Sequence, residues 1–130
     1  NAGLFSNAND LAKLLQMWLN RGSYGGVRYL KPATVETFLT DKSPNSFRGL
    51  GFDKPNVNNP ANSSTCDEAP AEVVGHTGFT GTCFWVDPKN DMIYIFLSNR
   101  VSPSRNNPNF RRVSARTNIQ SIIYKSIIGK

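Results

Sequence analysis

Apolar residues at Leu11, Leu14, Leu15, Trp18 and Leu19 recur at i, i+3, i+4, i+7 and i+8, the spacing of one helical face, and predict a helix over residues 8–21. Ser6 or Asn7 stands where an N-cap is needed, Asp10 suits the first turn and Gly22 suits the stop. Tyr24-Gly25-Gly26-Val27 reads as a tight turn, and Lys31-Pro32 opens a second, shorter helix with Val35, Phe38 and Leu39 on one side. Residues 41–72 lose this periodicity. Pro44, Pro55, Pro60 and Pro70, set among many Asn and Ser, leave only residues 48–52 as a short strand, so this region is mostly loop. A loop of that length in a compact domain is usually mobile or at a functional surface.

The pattern changes again at Val73. Residues 73–86 read as a strand with unusual glycine content, Asp87-Pro88-Lys89-Asn90-Asp91 as a turn, and residues 92–97 as an unbroken apolar run. Together they predict a hairpin whose second strand is covered on both faces. Ile119, Ile122, Ile123 and Ile127 lie at helical spacing with Gly129 behind them, so a C-terminal helix is expected to pack on that sheet. The fold class is α+β, an antiparallel sheet flanked by helices.

Composition narrows the function classes. At 130 residues and 38% hydrophobic, the chain has the length of one domain and is too apolar to be disordered, and it has no apolar run of ~20 residues to span a bilayer. It starts at Asn1 without an initiator Met, a basic segment or an apolar signal core, so the visible end is expected to be processed or cut. Residues 1–99 carry 8 basic and 9 acidic side chains, whereas residues 100–130 carry 7 basic and none acidic. Arg105, Arg111, Arg112 and Arg116 lack the interleaved aromatics of a nucleic-acid stacking platform; a solvated helix start and loop is the simpler account, and no nucleic-acid partner is expected. Cys66 and Cys83 form no CxxC or Cys/His cluster, so no metal is implied. They are either a disulfide worth ~3 kcal/mol or two separate buried thiols.

The candidate chemistry sits in Gly75-His76-Thr77-Gly78-Phe79-Thr80-Gly81-Thr82, three glycines beside the chain's only histidine. Glycine weakens a strand, and its use there is to let another backbone or a ligand come close. The stretch is either one wall of a cleft or a bulged edge strand with a partly exposed His.

His76-Thr77-Gly78, followed after the hairpin turn by Leu97-Ser98-Asn99-Arg100-Val101 and preceded by Ala2-Gly3-Leu4-Phe5-Ser6 before Asp10-Leu11-Ala12, resembles the C-terminal third of the serine β-lactamase and penicillin-binding-protein-like family, in its class C-type and esterase-like branch. The resemblance implies that Thr77 offers a hydroxyl to the substrate, that Gly78 keeps the strand thin beside it, and that the Phe79 backbone N–H serves the oxyanion hole, the Phe79 side chain being incidental to that role. His76 stands where β-lactamases and transpeptidases carry Lys. An unperturbed imidazole is mostly neutral at pH 7, which weakens recognition of a carboxylate-bearing β-lactam; esterase-like and peptidase-like members of the family often carry His, so the resemblance implies ester or amide hydrolysis rather than antibiotic resistance.

The family's nucleophile motif Ser-x-x-Lys and its Tyr-x-Asn are missing. Ser43-Pro44-Asn45 and Ser104-Arg105-Asn106 fit Ser-x-Asn only by coincidence of composition. Residues 1–130 are therefore expected to be the C-terminal segment of a single β-lactamase-like domain, inactive alone and prone to self-association. Its partners would be the missing N-terminal part and, in the full protein, a small ester, amide or peptide substrate. The resemblance implies a periplasmic or secreted protein without a cofactor. The alternatives are a noncatalytic binding module on the same fold and, more weakly, an anion-binding domain using residues 105–116.

Overall fold

The first helix begins where the Asn7 side chain can cap it. In a computed structural model, which describes residues 3–40, 43–106 and 108–128 (for Arg111 and Ile128, the backbone alone), α1 spans Ala8–Leu19. Ala2 and Gly129, which figured in the expectations above, lie outside the described residues. Asn7 Oδ1 accepts the Asp10 N–H at 3.0 Å while Asn7 Nδ2 donates to Asp10 Oδ2 at 2.8 Å. At the other end Gly22, at φ +95°, donates its N–H to Met17 O at 2.8 Å. A Cβ there would lie 2.2 Å from Leu30 O, so both the dihedral and the close approach require glycine. Replacing Asn7 with alanine is expected to cost about 1 kcal/mol in thermal or denaturant unfolding. No loss would mean that packing alone sets the helix start.

The buried face of α1 is slightly rotated from the expected one: Leu15 and Met17 are inside, and Leu14 is half exposed. β1 (Ser23–Tyr24) and β2 (Val27–Arg28) form a small hairpin around Gly25 and Gly26, both at positive φ as a two-residue hairpin turn demands. In α2 (Pro32–Thr40), Val35 is buried, and the Phe38 ring lies 5.8 Å from Trp18. Trp18 meets Phe52 edge-on at 5.1 Å, and Phe52 meets Phe84 at 6.4 Å, so a chain of rings ties both helices to the sheet.

That sheet is made of β3 (Val74–Thr77), β4 (Cys83–Asp87) and β5 (Met92–Phe96), antiparallel in the order β3-β4-β5. Two expectations are corrected here. Residues 73–86 are two strands, not one, because residues 78–82 reverse the chain: Gly78 N–H donates to Thr82 O at 2.8 Å, and Gly81 turns at φ +96°. Residues 48–52 are no strand, because the chain bends back at Gly51; only Asp53 pairs with the sheet, exchanging backbone bonds of 2.7 and 3.0 Å with Gly75.

β4 alternates between two cores. Cys83 and Trp85 join Val73 and Tyr94 with Phe96 and Ile123 packed against them, while Val86 joins Leu15 and Val74 with Phe84, Ile93 and Ile95. β5 therefore contributes to both cores, as expected of an unbroken apolar strand.

After the short α3 (Asn109–Arg112), α4 (Ala115–Ile128) closes the fold, but not through the isoleucine stripe. Ile119, Ile122 and Ile127 are exposed, and of the four only Ile123 packs on the sheet. The buried positions are Gln120 and Tyr124, each seated by a hydrogen bond. Tyr124 Oη donates to Asp87 Oδ2 at 2.7 Å, and Gln120 Oε1 accepts the Cys66 N–H at 2.9 Å. Asp87, fully buried, also accepts the Lys89 and Asn90 backbone N–H groups and Asn90 Nδ2, so its charge is well satisfied. Burial and the Asp87 bond push the Tyr124 phenol far above its ordinary range. Cys66 and Cys83 are free thiols, both buried and both pushed up to about 11, chiefly by burial.

Candidate functional site

The reversal at residues 78–82 brings the end of β3 beside the chain that leaves β5. Arg100 N–H donates to Thr80 O at 2.9 Å and Ser98 Oγ to the same oxygen at 3.3 Å, so the loop is fastened to residues 98–100. A small cleft of about 250 Å³ opens there, lined by Thr77, Gly78, Phe79, Arg100, Phe110 and Arg116. Among the described residues neither the Thr77 hydroxyl nor the Phe79 N–H has a hydrogen-bond partner.

His76 stands one residue back on β3, half-buried, with Nδ1 2.8 Å from Thr77 O. A carbonyl oxygen can only accept, so Nδ1 carries the proton of this bond, and in the neutral ring Nε2 is the acceptor.

The three glycines have separate reasons. A Cβ on Gly75 would lie 2.1 Å from Phe84 O and 2.5 Å from the Trp85 ring; one on Gly78 would lie 2.2 Å from Thr82 Oγ1; and one on Gly81 would lie 2.5 Å from Ser98 Oγ. Each is needed for the sheet or the loop to close, whatever ligand lies beside it.

Arg100 and Arg116, not assigned to this wall from the sequence, complete the cleft. The Arg100 guanidinium lies 4.8 Å from the centre of the Phe79 ring, and that of Arg116 lies 5.6 Å from the centre of Phe110. The Phe79 ring thus faces a cation. Arg105 and Arg112 are exposed as a solvated stretch would be, whereas Arg116 turns inward and donates to Thr82 O at 3.4 Å.

Two larger hollows lie elsewhere. One of about 1120 Å³ runs between the first two helices and residues 43–58, where Arg21 pairs with Glu36 at 2.9 Å and the Lys54 ammonium donates to Leu39 O. The other, of about 660 Å³, lies beside α4. In it the Glu68 carboxyl is held down to about 2 by its own backbone N–H, by Lys125 at 3.2 Å and by the Ser121 hydroxyl at 3.0 Å. Neither hollow is lined by His76 or Thr77. Among the described residues no three or more His, Cys, Asp and Glu gather as a metal site would need, and no helix is long and apolar enough to cross a membrane.

The beta-lactamase family model matches residues 1–117. A protein of Escherichia coli (strain K12) and one of Salmonella paratyphi B, both named "Putative D-alanyl-D-alanine carboxypeptidase", are each 39% identical to this chain over 113 residues. The match covers 84% of this chain and 26% of each relative, so the chain spans about a quarter of the length of these curated relatives. A crystal structure of a "putative beta-lactamase from Bacteroides dorei DSM 17855" superposes over 86% of this chain and 40% of that one, with a TM-score of 0.49 and 18% identity.

Proposed function

This chain belongs to the beta-lactamase family, and we propose that it is the C-terminal segment of a serine hydrolase domain, supplying one wall of an active site whose nucleophile lies in chain not present here. The observation that carries the reading is the pair of unpartnered groups on residues lining one cleft, the Thr77 hydroxyl and the Phe79 N–H, at the end of β3.

In this reading a serine oxygen attacks an ester or amide carbonyl, an acyl-enzyme forms as the leaving group departs, and water then releases the acyl group. The Phe79 N–H meets the negative charge that gathers on the carbonyl oxygen near the transition state, an interaction worth about 3–4 kcal/mol. Thr77 holds the substrate, with Gly78 leaving room beside it. His76 uses Nδ1 on the Thr77 carbonyl and presents Nε2, which fixes the ring beside the cleft. Amide bonds next to D-alanine are the first substrates to try, because the relatives that match are named for that carboxypeptidase activity. Acyl transfer of this kind needs no cofactor. A periplasmic or secreted location accords with such a substrate.

Leu4 and Phe5 are almost fully exposed and Ile122 is two-thirds exposed, which accords with a segment that packs against further chain and self-associates without it. The test is the intact mass of the native gene product, followed by labelling with a serine-reactive fluorophosphonate. A product several times larger than this chain that takes the label supports the reading. A native product of 130 residues that ignores the label would overturn it and favour a noncatalytic binding module on the same fold.

A further inference from the structure

The larger hollow, of about 1120 Å³, lies at the end of the sheet opposite the cleft. Ala71, Glu72 and Pro88 line it, flanking the start of β3 and the end of β4, whereas the cleft begins where β3 ends. The four residues of β3, roughly 13 Å of extended chain, separate the two. The outer wall of the hollow comes from residues 43–58, part of the long aperiodic stretch to which the cleft gives no role. Backbone bonds shape that wall: Ser43 N–H donates to Arg48 O at 2.7 Å, Gly49 N–H to Phe52 O at 2.8 Å and Lys54 N–H to Phe47 O at 3.2 Å. The hollow is therefore preformed, as ligand sites usually are.

Three features of the lining narrow what it holds. Among the described residues its charged side chains are Arg21 and Lys54 against Glu36 and Glu72, so the charges cancel and nothing selects an ionic ligand. Arg21 and Glu36 pair with each other at 2.9 Å, and the Lys54 ammonium donates to Leu39 O. Flat apolar area comes from Trp18 and Phe47, both half-buried. The Trp18 ring is held by those of Phe38 and Phe52, with centres 5.8 and 5.1 Å away, so a ligand meets it already ordered. The side-chain amides of Asn45 and Asn58, both exposed, have no partner among the described residues, and each offers donors and an acceptor together. A neutral saccharide carries the matching set: hydroxyls that both donate and accept, and C–H faces that lie against aromatic rings. A lipid chain would leave the amides unpaired.

We propose that this hollow is a second ligand site, remote from the cleft, that takes a neutral saccharide, with Trp18 beneath a sugar ring and Asn45 and Asn58 on its hydroxyls. Such binding is independent of catalysis in the cleft.

The experiment is calorimetric titration of the full-length gene product, at low and at high salt, with two neutral trisaccharides, chitotriose and maltotriose, and with N-acetyl-trialanine amide as a neutral peptide. At least one trisaccharide is expected to bind at a single site with an affinity that salt leaves unchanged. The Asn45→Ala/Asn58→Ala double variant is expected to bind it about tenfold more weakly, and because both amides are exposed the variant keeps its fold. Thr77→Val is expected to leave this affinity as it is. Binding of neither trisaccharide, the result if preceding chain fills the hollow, would overturn the proposal. So would equal binding of the peptide, an affinity that falls with salt, or an affinity unmoved by the double variant, which would put the sugar elsewhere, in the cleft if Thr77→Val weakens it.

Discussion

Gly75→Ala is expected to destabilise the full-length protein by about 3 kcal/mol in urea unfolding, because the added methyl has nowhere to go. It would stand 2.1 Å from the Phe84 carbonyl oxygen and 2.5 and 2.8 Å from carbons of the Trp85 indole. The first is backbone of the paired strand β4, and the second is a ring only 1% exposed in the middle of a core. Neither can move without opening the pairing of Gly75 with Trp85 or breaking the backbone exchange with Asp53. The midpoint should fall with the slope unchanged. A loss under about 1 kcal/mol would mean that β3 can shift away from Trp85 and that the glycine is retained for a ligand.

Thr77→Val in the full-length protein is expected to lower kcat/KM about a hundredfold, or about 2.7 kcal/mol, with little change in stability. Valine keeps the shape and β propensity of threonine, and the hydroxyl has no partner within the described residues, so folding loses little. A bound substrate polar group left facing a methyl loses a hydrogen bond and gains none. Turnover unchanged with the fold intact would remove Thr77 from substrate binding and leave the cleft wall as scaffold. On this strand Gly75→Ala therefore reads packing, and Thr77→Val reads the proposed contact with the substrate.

What could be read from the chain depended on whether local chemistry or tertiary pairing decided the outcome. α1 was legible because Asn7 caps it and Gly22 stops it, both through bonds to residues within five positions. The turn at residues 78–82 was not, because it lacks the Asn-Gly or Asp-Gly pair that marks a short hairpin and because Phe79, Thr80 and Thr82 have the composition of a strand. The C-terminal helix was placed correctly and oriented wrongly. Periodicity favours four isoleucines, yet Tyr124 and Gln120 win the core because Asp87 and the Cys66 N–H offer them partners from 37 and 54 residues away. His76, Thr77, Gly78 and Phe79 were named from the motif, and the structure brings Thr77, Gly78 and Phe79 onto one cleft with His76 adjoining. Arg100 and Arg116 were missed as members of it. The available signal was an exposed-type aromatic in a glycine loop together with a terminal stretch of cations that has no acids of its own.

All the residues lining the small cleft fall between Thr77 and Arg116, and the sheet beneath it is closed by two connections of only five and four residues. Loops that short bring their ends together at small entropic cost, so this wall has a local topology and should form early and fast relative to pairings that span a whole domain. A cleft drawn from one uninterrupted run of chain is also inherited as one piece. Insertions before Val74 lengthen the protein without separating the residues that line this cleft.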